Sequence, residues 1–313
     1  MPAGRDLARA VELAGHAERV TNQQPQQAAF DPILAGGHGT TIRDLRYTRI
    51  MSSDPSTSRW TERVALVTGA SSGIGRAVAL RLAVDLGMHL AICARRADRL
   101  AALADEIIAR RPGALVGVYP CDLRDETAIL AMFERIRERF GGVDVLINNA
   151  GLGRDAPLTS GATEHWREML ELNVLALCIC TREAVSDMLR RGDVEGYGGQ
   201  VIHVASMASH RVPPGSGVYS ATKYAVRSLI EGLRLELREL GSDIRVGAVS
   251  PGFVATEFAE VYGHGDAERA RETYSRFTVL QPDDVARSVV HILEAPAHVQ
   301  IHDILMRSTA QPS

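Results

Sequence analysis

Tyr219 and Lys223, in the run Tyr219-Ser220-Ala221-Thr222-Lys223, stand four residues apart. That spacing puts both on one face of a helix, a turn from each other. A phenol ionises near pH ~10 and carries protons poorly in neutral water. An ammonium group fixed beside it favours the phenolate and lowers that value. The pair is a candidate general acid/base, with Tyr219 as the proton carrier. The same spacing also arises where a half-buried tyrosine sits beside a solvated lysine, so the rest of the chain must decide.

Other stretches carry chemistry of their own. Thr68-Gly69-Ala70-Ser71-Ser72-Gly73-Ile74-Gly75 lies between an apolar run and a helical pattern. Glycines there allow a tight turn and close approach of backbone to a pyrophosphate at the helix N-terminus. Their spacing, G-x-x-x-G-x-G, departs from the more familiar G-x-G-x-x-G. Cys93-Ala94-Arg95-Arg96 ends the second apolar run. An NAD site places an acidic residue near that point, whereas two arginines suit an added 2′-phosphate, with Arg95 in the place of the acidic residue. NADP (NADPH) is therefore the expected cofactor, ahead of NAD. Asp122-Leu123 and Asn148-Asn149-Ala150-Gly151 follow the third and fourth runs, where parallel sheets bind ligands. Asp122 is placed to accept from an adenine amino group, and the Asn-Asn-Ala-Gly turn to line the adenosine half of the site.

The elements that must position these residues are legible in the patterning. Val64–Thr68, His89–Cys93, Val116–Tyr119, Val143–Ile147, Gln200–Ala205, Ile244–Val249 and Gln300–Met306 read as strands. Helical stretches alternate with them, including a long one over Glu164–Arg190 and one over Val218–Leu240 that carries the Tyr-Lys pair. Such alternation specifies a parallel sheet covered on both faces. The expected fold is one doubly wound, Rossmann-like α/β domain over residues 58–313, with a seven-stranded parallel sheet. Residues 1–57, with Asn22 to Gln27 and Gly36-Gly37-His38-Gly39, differ in texture. They read as a mobile extension, or else as a segment preceding a native start at Met51.

Composition excludes several function classes. A net charge of −3 offers no general attraction to nucleic acid or acidic membranes. No apolar run approaches the ~18–20 residues that span a bilayer. Cys93, Cys121, Cys178 and Cys180 form no C-x-x-C pair and read as reduced thiols, which with the absence of a leader pattern suggests the cytoplasm. The ten histidines show no metal-site spacing, and no metal is expected.

Thr68–Gly75, Asn148–Gly151, Tyr219–Lys223 and Pro251-Gly252 occur in order in one chain. Together they resemble the short-chain dehydrogenase/reductase family over about residues 60–309. The resemblance implies hydride transfer between a nicotinamide dinucleotide and an alcohol or carbonyl. It makes Ser206 the residue that holds the substrate oxygen beside Tyr219, and Asn173 the one that holds a water in the proton relay. Lys223 would also bind the nicotinamide ribose, and Pro251, Gly252, Val254 and Thr256 would bracket the nicotinamide. Asn173–Leu177, Ile179–Ala184, Ser209–Val212 and Pro296–Arg307 are similar to a branch of the family that acts on steroid and terpenoid alcohols with NADP(H). Met207, Val212, Pro213, Phe253, Phe258, Val261 and Tyr262 make the substrate side apolar, and His210 is either a substrate contact or an exposed loop residue. A homodimer or homotetramer through the two long helices is the family habit. The competing class is a catalytically silent dinucleotide-binding sensor or scaffold of the same fold.

Overall fold

The computed structural model describes residues 58–192 and 198–312; the extension expected over residues 1–57 lies outside the described residues. Seven strands form one parallel sheet in the order β3-β2-β1-β4-β5-β6-β7. They are β1 (Val64–Thr68), β2 (His89–Ala94), β3 (Val116–Pro120), β4 (Val145–Asn148), β5 (Gln200–Val204), β6 (Arg245–Pro251) and β7 (Ile304–Met306). Every residue of β1, β4, β5 and β6 is buried, as a sheet covered on both faces requires.

Side chains alternate between two cores, as the period of a strand dictates. Ala65, Val67, Ile92, Ile147, Ile202 and Val249 face one layer, built from α1 (Gly73–Val84), α2 (Ala97–Arg110) and, from the far end of the chain, α9 (Pro282–Glu294). Leu66, Leu146, Val201, Val246 and Ala248 face the other, built from α3 (Glu126–Phe140), α5 (Ala176–Arg191) and α6 (Gly217–Glu239). α3 shows why such helices begin and end where they do. Asp125 caps it by accepting from the amides of Thr127 and Ala128, and Gly141 closes it at φ 76°, a conformation glycine adopts without steric cost.

Two expected elements differ. The helix over Glu164–Arg190 is interrupted: α4 (Thr163–Leu170) passes through a π-helical turn at Glu171–Leu175 before α5 begins. Asn173 stands within this turn, its buried side chain bonding a neighbouring segment, described below, rather than facing solvent. β7 is shorter than the expected Gln300–Met306. At its approach the Gln300 side chain, not the backbone, takes the bond from Val246 N (2.9 Å). The sheet order reverses between β1 and β4, and the polar turns at the carboxyl ends of these strands open onto that point. Beyond β6 lie two short helices, α7 (Phe258–Tyr262) and α8 (Ala267–Ser275). Among the described residues no helix is long and apolar enough to cross a membrane.

Candidate active site

The turn after β1 is held by the turn after β4. Thr68 Oγ1 donates to Ile147 O (3.2 Å) and accepts from the amides of Asn149 and Ala150 (3.0 Å each). Asn149 Nδ2 donates to Thr68 O (2.8 Å). Gly69 has φ +67° and Gly73 φ +55°, and a side chain on Gly75 would begin 2.5 Å from Gly69 O. Only glycine closes this turn. Ser72 stands at the N-terminus of α1 without capping it by its side chain, which leaves the first amides of the helix for an anion. Ser71 and Ser72 hydroxyls line the same turn and accept from Arg96 (3.2 and 3.0 Å to Ser71, 2.8 Å to Ser72). Uncapped amides, a glycine turn, two hydroxyls and a guanidinium fit the phosphates of a nicotinamide dinucleotide.

The arginine pair divides its labour. Arg96 turns toward the glycine turn, whereas Arg95 is exposed and bears on Asp122 only through its charge. Asp122 is already engaged by Arg124, which donates to Oδ1 from Nε (3.1 Å) and to Oδ2 from Nη2 (2.7 Å). That contact holds the Asp122 carboxyl below its usual range. An adenine amino group would share oxygens with Arg124. Leu123 beside it is buried.

On the other side of the switch point, α6 presents Tyr219 and Lys223 inward, both buried. Ser206, at the end of β5, accepts from Ala208 N (3.0 Å), which fixes its hydroxyl at the start of a single 3₁₀ turn. From there its hydroxyl faces the Tyr219 phenol and tends to lower it. Lys223 Nζ donates to Val204 O (3.1 Å) and lies 6.0 Å from the centre of the Tyr219 ring. Asn173 Oδ1 accepts from Leu152 N (2.9 Å), while Nδ2 donates to Leu152 O (2.8 Å) and to Thr222 Oγ1 (3.0 Å). The π turn thus pins the segment after Gly151 to the catalytic helix. A side chain on Gly151 would begin 3.2 Å from Asn173 Oδ1 and 3.6 Å from Lys223 Nζ, so its absence opens a polar gap between the two.

The electrostatics differ from the expectation for Tyr219. Burial pushes its phenol up to about 12, against the opposing pull of the Ser206 hydroxyl, and Tyr262 adds to the rise. Burial brings the Lys223 ammonium down to about 8. The ammonium that was to lower the phenol is itself desolvated, and in a dry setting both groups favour their neutral forms.

Aromatic rings roof the tyrosine. Phe258 lies 5.5 Å and Tyr262 6.4 Å from its ring, centre to centre, and Leu152, Met169 and Trp166 complete the wall. Gly153, absent from the sequence reading, seats this roof: a side chain there would begin 2.7 Å from Tyr262 and 2.8 Å from Phe258. Behind the rings, Gly252 N donates to Met306 O (2.8 Å) and Val254 pairs with Leu280. Thr256 Oγ1 accepts from Phe258 N (3.2 Å), and its methyl would meet a side chain on Gly73 at 2.9 Å. Pro251 is buried as the last residue of β6. His210 meets Asp303 (2.9 Å) rather than the catalytic groups.

A glycine turn at the first βα junction and, beyond β5, a half-buried Ser206 beside the buried Tyr219 and Lys223 define the chain's class: it belongs to the short-chain dehydrogenase family, whose model matches residues 63–266. It is an oxidoreductase acting on CH–OH donors. Among its relatives, dehydrogenase/reductase SDR family member 11 of Gallus gallus is 52% identical over 258 residues, 82% of this chain and 99% of that protein. Farnesol dehydrogenase of Aedes aegypti is 36% identical over 81% of this chain and 98% of its own. Serine dehydrogenase in its closed form with NADP⁺ superposes with a TM-score of 0.73 at 32% identity, covering 80% of this chain and 96% of the other. A short-chain dehydrogenase/reductase from Burkholderia phymatum in complex with NAD gives 0.69 at 28%, covering 79% and 89%. A nicotinamide dinucleotide is the cofactor of this fold, in either form.

Proposed function

We propose that the chain is an NADP(H)-dependent oxidoreductase interconverting a lipophilic alcohol and its ketone or aldehyde. The observation that carries the cofactor choice is Arg96, which bonds both serines of the glycine turn where an NAD site would hold a carboxylate. The Phe258, Tyr262, Trp166 and Leu152 wall around Tyr219 favours an apolar substrate such as a steroid or terpenoid. The name of the mosquito relative, a farnesol dehydrogenase, agrees with that class.

In this reading the bound dinucleotide supplies or accepts the hydride. The protein supplies alignment and proton traffic. Ser206 and Tyr219 converge on one oxygen, which Ser206 positions while Tyr219 donates the proton in reduction and removes it in oxidation. Lys223 keeps two N–H donors beyond its bond to Val204, enough for ribose hydroxyls. The gap beside Gly151 would take the relay water between Lys223 Nζ and the remaining lone pair of Asn173 Oδ1. Gly69, Ser71, Ser72, Gly73, Ile74 and Gly75 would hold the cofactor's phosphates. Asn149, Ala150 and Gly151 would line the adenosine side, with Asp122 and Leu123 at the base. Pro251, Gly252, Val254 and Thr256 would flank the nicotinamide.

A panel of steroids, terpenoid aldehydes, quinones and small diketones, each followed by NADPH and NADH absorbance, tests the assignment. Turnover with NADH alone, or only with small polar carbonyls, would overturn it. Arg96→Ala should weaken NADPH by about tenfold to a hundredfold, the worth of one charge-assisted bond at roughly 1.5–3 kcal/mol, and NADH far less. The exposed apolar side chains Leu189 on α5 and Tyr224, Leu229 and Leu235 on α6 support a dimer or tetramer through these helices, which light scattering checks. A cytoplasmic location completes the reading.

A further inference from the structure

Glu257 occupies the anion-binding corner that the cofactor reading needs. Its carboxylate accepts from Arg96 Nη1 (2.8 Å) and Ser72 Oγ (3.2 Å) and is also paired with Arg99. It therefore takes the same guanidinium and hydroxyl that would receive a 2′-phosphate. Glu257 directly precedes α7, whose first and last residues, Phe258 and Tyr262, roof Tyr219. One short helix thus touches the cofactor corner at its head and the catalytic ring along its length. The far end of α7 is fastened separately, by Asp155 N donating to Tyr262 O (3.0 Å) and Arg154 Nη1 donating to Val261 O (3.1 Å). The Glu257 contacts are the ones that a second anion would replace.

We propose that Glu257 is an internal rival of the cofactor's 2′-phosphate, a specificity residue through which NADP(H), and not NAD(H), frees the roof over Tyr219. The inference rests on the NADP(H) reading above. A phosphate carries more charge and more acceptor oxygens than a carboxylate, so it wins Arg96 and Arg99 when it is held there by the rest of the dinucleotide. The displaced side chain has somewhere to go. Glu257 lines a cavity of about 940 Å³, where Arg271 can receive it, and Arg76, already paired with Glu106, can share it. Loss of the Arg96 and Ser72 contacts releases the head of α7, so that Phe258 can leave the face of Tyr219 and admit an apolar substrate. NAD(H) lacks the competing anion and leaves Glu257 where it is, with the roof closed.

The test uses Glu257→Gln, which keeps the side-chain size and removes the charge, with its fold checked by melting temperature. Fluorescence titration should give NADPH about threefold to tenfold tighter binding in the variant, the range expected for losing a half-exposed pair of ionic contacts, and NADH less than a twofold change. Hydrogen exchange of amides 258–275 supplies the second measurement. In the wild-type chain it should quicken with 2′,5′-ADP and stay unchanged with 5′-ADP; in the variant it should be fast throughout. Equal NADPH affinity in the two proteins, or wild-type exchange indifferent to the 2′-phosphate, would overturn the role of Glu257. Wild-type binding of NADH as tight as NADPH would instead overturn the cofactor reading, and the variant-to-wild-type ratio keeps the two failures apart.

Discussion

A buried tyrosine pushed up to about 12 and a buried lysine brought down to about 8 stand one turn apart on the same helix, and the lysine is the first of the two to give up its proton. Raising the pH first takes a proton from the pair near the lower value. Alcohol oxidation, which requires a group able to accept the substrate proton, should therefore rise with pH through an apparent pKa near 8. Lys223→Met leaves the buried phenol alone and should carry that midpoint up toward about 12, measured by single-turnover oxidation across pH. A midpoint unmoved by the substitution would exclude Lys223 from the titration. Tyr219→Phe removes only the hydroxyl and should lower turnover by roughly the 10²–10⁴ of general acid/base catalysis. NADPH affinity should change little, and near-normal single-turnover chemistry would remove the tyrosine from the mechanism.

At the scale of elements, the π turn at Glu171–Leu175 and the helix α7 do the positioning. The π turn aims Asn173 at both backbone groups of Leu152. The next residue, Gly153, carries no side chain because the roof of α7 rests there. Gly153→Ala should lift Phe258 and Tyr262 away from Tyr219 while leaving the two sheet cores untouched, since neither core contains that position. The expected outcome is a raised KM for apolar substrates and lowered turnover, with a melting temperature within a few degrees of wild type. Steady-state kinetics beside a thermal melt decides it. A collapse of stability together with unchanged kinetics in the surviving fraction would show that the glycine serves folding and not the roof.

For the whole molecule, the acid limit of stability is built into the middle of the sheet. His203 on β5 is buried, with Nδ1 facing Asn148 Nδ2 at 3.3 Å and Nε2 without a partner among the described residues. Burial, aided by the charges of Arg234 and Lys223, lowers its imidazole to about 3. Between its ordinary value near 6.5 and about 3, the unfolded chain binds a proton that the folded chain refuses. Stability should consequently fall as pH drops through that window, by at most about 1.4 kcal/mol per pH unit from this group. Urea unfolding of wild type and His203→Leu at pH 7 and pH 5 checks the sign. The variant should lose less stability than wild type across that interval, and equal losses would place the acid sensitivity elsewhere.

The sequence by itself determined what local spacing governs. Strand periodicity assigns the apolar residues of β1, β4, β5 and β6 to the two faces, because alternate side chains must point to opposite sides. The glycines of the first turn and the four-residue Tyr-Lys interval are equally local, and each stands where it was expected. Tertiary structure decided whatever depends on residues distant in the chain. Which of two adjacent arginines turns toward Ser71 and Ser72 follows from how the end of β2 packs beside β1, whereas the sequence put Arg95 first. Asn173 bonds a residue 21 positions away, and that contact, invisible to helical periodicity, accompanies the break in the expected long helix. Glu257 meets Arg96 across 161 positions, with no local signal beyond its place after Thr256. The direction of the Tyr219 shift was likewise beyond spacing. A lysine one turn away argues for a lowered phenol, but burial of the ring raises it, with Tyr262 adding to the rise, and burial exists only once the chain has folded around the ring.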